Sequence, residues 1–189
     1  SDEFMIEFVK NIKTKILDYQ ILLASPSLGT GVDITFPNNE EIIDCVYGFF
    51  KSGINTHYDI DQQLSRVRHP KNIKLWLSSQ TINYETNFDV IMKNLADAGV
   101  IPSSSRGYDD DFNPIYDPDH PLLQMYTHII CSQRSSKKNL YKNFISLKNK
   151  QGWKILPIEK EATSAKSGSK VLLQAKAKIK EDRILNILN

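Results

Sequence analysis

Ile42-Ile43-Asp44-Cys45-Val46-Tyr47-Gly48-Phe49-Phe50, then His57 to Arg68, then Ile73-Lys74-Leu75-Trp76-Leu77, are the runs that decide the fold. The first is apolar, aromatic and β-branched, which predicts a strand. The second has Asp59 and Asp61 in its first turn and stops before Pro70, which predicts a helix. The third predicts another strand. Upstream, Gln20-Ile21-Leu22-Leu23-Ala24 is a short continuous apolar run, read as a strand buried on both faces. Phe4 to Leu17 follows a helical period, with Asp2 as N-cap and Lys13 and Lys15 in the last turn. Helix, strand, loop, strand, helix, strand predicts an α/β fold with a mainly parallel, open sheet.

After residue 80 the pattern changes. Asn87 to Ala98 predicts a helix stopped at Gly99. Ile101 to Pro121, with its prolines, consecutive serines and aspartates, predicts a long polar surface loop. Leu122 to Arg134 and Lys138 to Lys148 predict two helices, with Ser135-Ser136 capping the second and Gly152 ending it. Trp153 to Ile158 reads as a short strand, Ala162 to Lys170 as a linker and Val171 to Leu188 as a lysine-studded helix. Three regions follow: 1–80, an α/β lobe; 81–120, a helix and acidic polar loop; 121–189, a basic, mainly helical accessory region.

The chain has 189 residues, 40% hydrophobic and 24% charged, which excludes wholesale disorder. Cys45 and Cys131 are far apart and form no zinc-type spacing with His57, His69, His120 or His128, so no metal site is expected. Two free thiols fit a cytoplasmic chain. No apolar run approaches the ~18–20 residues that span a bilayer, so no membrane partner is expected. Ser1 to Met5 lacks the pattern of a signal peptide.

Ala24-Ser25-Pro26-Ser27-Leu28-Gly29-Thr30-Gly31-Val32-Asp33-Ile34 joins glycines, which allow close backbone approach, to hydroxyls and exposed amides. Some thirty residues later stands Asp59-Ile60-Asp61-Gln62-Gln63-Leu64-Ser65-Arg66-Val67-Arg68-His69-Pro70. Arginine suits bidentate phosphate binding. On one helical turn Arg66 and Arg68 diverge by roughly 200°, so at most one shares a phosphate-facing direction with Gln62 or Gln63 unless the helix ends between the arginines.

In this order and at this separation the two segments resemble motifs V and VI of superfamily 2 helicases. Ala24 to Ile34 is similar to the small-Ser/Thr then Gly-x-Asp of motif V, and Gln62 or Gln63 through Arg68 to the Gln-x-x-Gly-Arg-x-x-Arg of motif VI. The wording Ser-Pro-Ser-Leu-Gly-Thr-Gly-Val, then Val-Tyr-Gly-Phe-Phe, resembles plasmid-type replication proteins and origin-binding helicases most. Tyr141, Phe144, Gly152 and Trp153 extend that similarity loosely. The resemblance implies an incomplete RecA-like C-terminal lobe. Ser25, with Ser27 and Thr30, would contact nucleic-acid phosphate, and Gly31, Asp33, Gln62 and Gln63 would line a nucleotide cleft. Arg66 and Arg68 would act as arginine fingers on the γ-phosphate. Ser65 replaces the usual glycine and His69 stands where the second arginine is standard, so which arginine is the finger stays open.

A phosphate-binding loop, G-x-x-x-x-G-K-[ST], and a Walker B acidic pair are missing: Ser167-Gly168-Ser169-Lys170 has the wrong spacing and Asp109-Asp110-Asp111 follows no apolar strand. The expectation is therefore the C-terminal part of an ATP-dependent DNA replication helicase, completed by an upstream lobe. ATP and Mg²⁺ would serve the complete protein, and this part alone would be inactive. The alternative is a non-catalytic module that binds DNA or another replication protein through its basic end, the lobe being degenerate. A phosphotransfer regulator is a remote third reading, carried only by the acidic loop.

Charge asymmetry bears on both main readings. The formal +2 conceals 10 basic and 18 acidic residues in 1–119 against 14 and 4 in 120–189. Lys137, Lys138 and Lys142, with Lys148, Lys150, Lys170, Lys176, Lys178 and Lys180, form either a phosphate-tracking surface or a solvated lysine-rich face. Tyr47, Phe49, Phe50, Trp76 and Trp153 are expected to pack in the core rather than stack on bases. His57 and Asp59 are explained by a helix N-terminus more simply than as an acid/base pair, and no Ser-His-Asp spacing supports hydrolase chemistry.

Overall fold

A computed structural model of the chain describes residues 2–25, 32–158 and 162–188. Two compact units are resolved, Ser1–Trp153 and Lys154–Asn189. The first is mixed α/β. Its N-terminal helix breaks at Asn11 into α1 (Asp2–Lys10) and α2 (Ile12–Lys15). Phe8 and Ile12 from this pair, with Ile16 of the 3-10 turn that follows, pack on Ile34 and Phe36, with Val32, Ile43 and Val67 at the margin.

β1 (Val46–Phe50) and β2 (Ile73–Leu77) pair in parallel, Val46 opposite Ile73 and Phe50 opposite Leu77. The crossover is α3 (His57–Leu64), as parallel strands require. Its N-terminus is fixed by a reciprocal cap. Thr56 Oγ1 accepts from the Asp59 amide at 3.1 Å, and Asp59 Oδ2 accepts from the Thr56 amide at 2.8 Å. At the end of β1, buried Ser52 donates its hydroxyl proton to the Gln80 carbonyl at 2.7 Å, tying the chain beyond β2 to the sheet.

Gly48 sits mid-strand because the side chains of its own and the neighbouring strand, with Leu64 of the helix behind them, fill the space a Cβ would need. A Cβ there would stand 2.5 Å from Phe50 Cε2, 2.7 Å from Leu75 Cδ2 and 3.4 Å from Leu64 Cδ2. Glycine weakens a strand interior, and here close approach is the compensation.

Next come α4 (Phe88–Asp97), capped by Asn87, and a hairpin of β3 (Ser105–Tyr108) and β4 (Pro114–Tyr116). Then follow α5 (Pro121–Lys138) and α6 (Leu140–Lys150). α4 packs on α5, and α6 returns to α3. Leu140 and Phe144 of α6 are fully buried against Phe50, Ile60 and Leu64. Each such side chain contributes about 1.5–3 kcal/mol relative to exposure.

Lys148 of α6 reaches into the same interface. Its ammonium pairs with Asp61 of α3, donates to Gln151 Oε1 at 3.1 Å and lies 4.2 Å from the Trp153 ring centroid. Gln151 Nε2 donates to the other Asp61 oxygen at 2.9 Å. Only 4% of the lysine side chain is exposed, and 22% of the aspartate's. Burial pushes the Asp61 carboxyl up, but the hydrogen bonds from Lys148 and Gln151 and the nearby cationic charge outweigh it and hold it below its ordinary value. A second tie joins α3 to α5. Buried Ser136 accepts from the His57 amide at 2.8 Å and meets His57 Nδ1 at 2.6 Å. Desolvation lowers the His57 imidazole pKa, against the raising influence of Asp61 and Asp59.

Several expectations are corrected. Residues 20–24 form no strand and lie exposed, Ile21 at 76% and Leu23 at 90%. An apolar run specifies burial only when a neighbouring strand satisfies its amides. The polar 101–121 stretch contains the hairpin, its turn closed by Asp109 Oδ1 accepting from the Asp111 and Asn113 amides at 2.9 and 2.7 Å. α5 runs through Ser135-Ser136 and stops at Asn139, so Ser136 packs against His57 instead of capping α6. Trp153 to Ile158 is not a strand. Ala162 to Lys170, expected as a linker, opens α7 (Ala162–Leu188), as its alanines and lysines permit. Lys148 is a buried interface group and does not belong to a solvated basic face.

Removing one partner strands a partly buried charge. Lys148→Ala should cost about 3 kcal/mol in urea denaturation, and Lys148→Met with Asp61→Leu should recover most of it. Asp61 and His57 both carry folded pKa values below their unfolded ones, so each contributes stability above its unfolded pKa, about 3.9 and about 6.5, and loses it as pH falls through the folded value. The melting temperature followed by circular dichroism should decline in two stages on acidification. His57→Gln should remove the earlier one and Asp61→Asn should weaken the later. Gly48→Ala should lower stability by about 1–3 kcal/mol, since core side chains must move to admit the methyl.

Candidate functional site

The two motif segments meet through backbone pairing. Ile34 and Val67 form an isolated parallel bridge. The Ile34 amide donates to the Arg66 carbonyl at 2.7 Å and the Arg68 amide to the Ile34 carbonyl at 3.2 Å. Ile34 is buried and Val67 packs beside it on the core made with α1 and α2. In a paired extended segment successive side chains alternate. Asp33 and Thr35 therefore leave their segment on the side away from Ile34, and Arg66 and Arg68 leave theirs on the side away from Val67.

That alternation brings Asp33 to Arg68. Arg68 Nε donates to Asp33 Oδ1 at 2.9 Å, Thr35 Oγ1 donates to Asp33 Oδ2 at 2.9 Å, and Lys13 Nζ from α2 stands 3.7 Å from the same Oδ2. The hydrogen bond from Arg68, then that from Thr35, lowers the Asp33 pKa. The side chains of Arg68 and Asp33 are about half exposed, 57% and 43%. An exposed pair of this kind adds little to stability.

α3 ends at Leu64, so neither arginine is helical and the two share a side. Arg66 is half-buried and accepts from Ile34 through its carbonyl, whereas Arg68 is the arginine joined to Asp33. Gln62 is exposed and Gln63 half-buried on the last turn of α3. Ser25 is exposed, on the wall of a groove of about 900 Å³ whose other lining includes Phe4, Phe8, Tyr19, Leu22 and Leu23. Ser27, Thr30 and Gly31 lie outside the described residues.

The lysines divide by role. Lys138 donates to the Tyr84 carbonyl at 3.4 Å and Lys137 is half-buried, whereas Lys142 is exposed. Lys13 and Thr35 complete the Asp33 cluster although neither stands in a motif. Lys13 was legible only as a cation closing a helix, because its approach to Asp33 depends on how α2 lies over Ile34 and Phe36. Among the described residues no group of three or more His, Cys, Asp or Glu side chains could hold a metal ion, and no helix is long and apolar enough to cross a membrane. No family model, curated protein or solved structure matches the chain.

If Asp33 holds Arg68, Asp33→Ala should leave the melting temperature nearly unchanged and release the guanidinium. The Arg68 Nε–H signal in ¹⁵N NMR should then exchange with water markedly faster than in the parent chain.

Proposed function

We propose that this chain is the C-terminal part of an ATP-dependent DNA helicase of the replication type, with a RecA-like lobe that presents motif V and motif VI to a nucleotide bound between it and an upstream lobe. The observation that carries this reading is the Asp33–Arg68 contact. Residues 35 apart, singled out by one motif pattern, meet through a backbone bridge between the same two segments.

The arrangement supports a division of work. Asp33 holds Arg68 beside Lys13 before nucleotide arrives. A triphosphate entering from the upstream lobe offers a stronger anion than one exposed carboxylate, and a guanidinium can donate two parallel hydrogen bonds to it. Charge developing on the transferred phosphoryl group is then met by a prepositioned cation. Arg66, on the same side, is the second finger candidate. Mg²⁺ would be held by the phosphates and the acidic pair of the upstream lobe. DNA would be met by the serine and threonine segment of motif V and by exposed lysines such as Lys142.

The alternative, a non-catalytic module binding DNA or a replication partner, draws support from the second unit. Lys170, Lys176, Lys178 and Lys180 of α7 are exposed. Supplying the upstream lobe separates the two. Under the helicase reading, Arg68→Ala and Arg66→Ala in the completed protein lower ATP turnover by about 10³-fold or more, while binding of a fluorescent ATP analogue survives. Arginine-independent turnover from this chain alone, or unchanged turnover in both variants, defeats that reading. Under the alternative only lysine substitutions matter, and DNA affinity falls with salt at about 0.9 log unit per phosphate contact.

A further inference from the structure

One face of the β1–β2 sheet is covered by α3 and α6, where Phe50, Leu75 and Leu77 lie. The opposite face carries Tyr47, Phe49, Lys74 and Trp76, because the parallel register sets Tyr47 against Lys74 and Phe49 against Trp76. Tyr47 is 61% exposed, Phe49 75% and Trp76 48%. Three large aromatics at neighbouring positions on an open sheet face are costly to leave in water. Sequence patterning assigned them to the core, and only Phe50 of the β1 aromatics went there.

We propose that this face is a stacking platform for single-stranded nucleic acid. Three observations favour that occupant. First, every aromatic offers a flat π surface to any base, so the platform tolerates sequence. Second, Lys74 is the only residue of the two strands that is charged at neutral pH, and it lies on this face with its ammonium 5.9 Å from the Tyr47 ring centroid. Lys51 continues the same alternation beyond β1 and is exposed. Among the described residues of the two strands this face carries aromatics and a cation and no carboxylate, which suits a polyanion carrying bases. Third, base stacking selects the strand state: in a duplex each base face is already covered by its neighbours, whereas the bases of an unstacked single strand are free to stack on Tyr47, Phe49 and Trp76.

The platform shares no residue with the Asp33–Arg68 cluster and stands whether or not Arg68 meets a nucleotide. Its test is a titration of the full chain, without ATP, with a fluorescein-labelled oligodeoxythymidylate. Fluorescence anisotropy and quenching of tryptophan emission are read together. Binding should quench Trp76, and Trp76→Ala and Phe49→Ala should each weaken it about tenfold or more. Phe49→Tyr should bind as the parent does. Tyr108→Ala, an exposed aromatic on the hairpin, should change nothing. A duplex of equal length should bind more weakly. These side chains are exposed, so the variants should fold, and circular dichroism checks that. The proposal falls if the oligonucleotide does not bind, or if it binds equally well to Trp76→Ala and Phe49→Ala. It also falls if the chain forms a dimer that the same substitutions dissolve, which would make the face a protein contact. Loss of binding in Trp76→Ala and Phe49→Ala bears on this face alone, whereas the helicase reading is judged by the arginine dependence of ATP turnover, which this assay does not measure.

Discussion

A buried ammonium holds the main unit closed. Lys148 gives up most of its hydration to meet Asp61 and Gln151, with the Trp153 ring beside it. Apolar burial by Leu140 and Phe144 supplies the larger share of the attraction between α6 and α3. That attraction is non-directional. The ion pair is directional, and a register shift of α6 would leave both charges unpaired in a place where an unpaired charge is severely penalised. α3 is therefore clamped between the sheet and α6, and the segment leaving its C-terminus, which carries both arginines, starts from a fixed point.

The same logic applies to the cluster around Asp33. Its polar members are exposed or half-buried, and the pair between Asp33 and Arg68 has little strength of its own. Its position is inherited from buried neighbours. Ile34 and Val67, which flank the charged residues in sequence, sit on the core built by Phe8, Ile12 and Ile16. Alternation then sends the polar side chains outward together. The N-terminal helices thus take part in the site twice, through Lys13 and through the apolar floor beneath the backbone bridge.

The strand–helix–strand unit was legible because each element had its own signal: alternating or continuous apolar runs for β1 and β2, and a capped, acid-led start for α3. β2 is found on the residues predicted. The 20–24 run misled because hydrophobicity reports a preference for burial and says nothing about which strand is available to pair. The pairing of Ile34 with Val67 and the partnership of Lys148 with Asp61 join positions 33 and 87 apart. No local pattern encodes either. The resemblance to helicase motifs singled out Asp33 and Arg68 separately, but their contact follows from the end of α3 at Leu64, which freed both arginines from the helical period. The exposed aromatics were missed for a related reason. A β1 pattern of Tyr, Gly, Phe, Phe looks uniformly apolar, and which half faces outward depends on where helices land.

The long span between α3 and α6 also sets an order of events as the chain is made. β1, α3 and β2 are contiguous and can associate as soon as they emerge. Leu140 follows Leu64 by 76 residues. At ordinary synthesis rates of about 5–20 residues per second, roughly 4–15 s pass before it exists. During that interval Ile60, Leu64 and the Asp61 carboxylate have no lid, and the nascent unit presents an apolar helix stripe with one acidic group at its centre. Such a surface is the aggregation-prone stage of synthesis, and it ends when α6 brings its apolar face and the lysine.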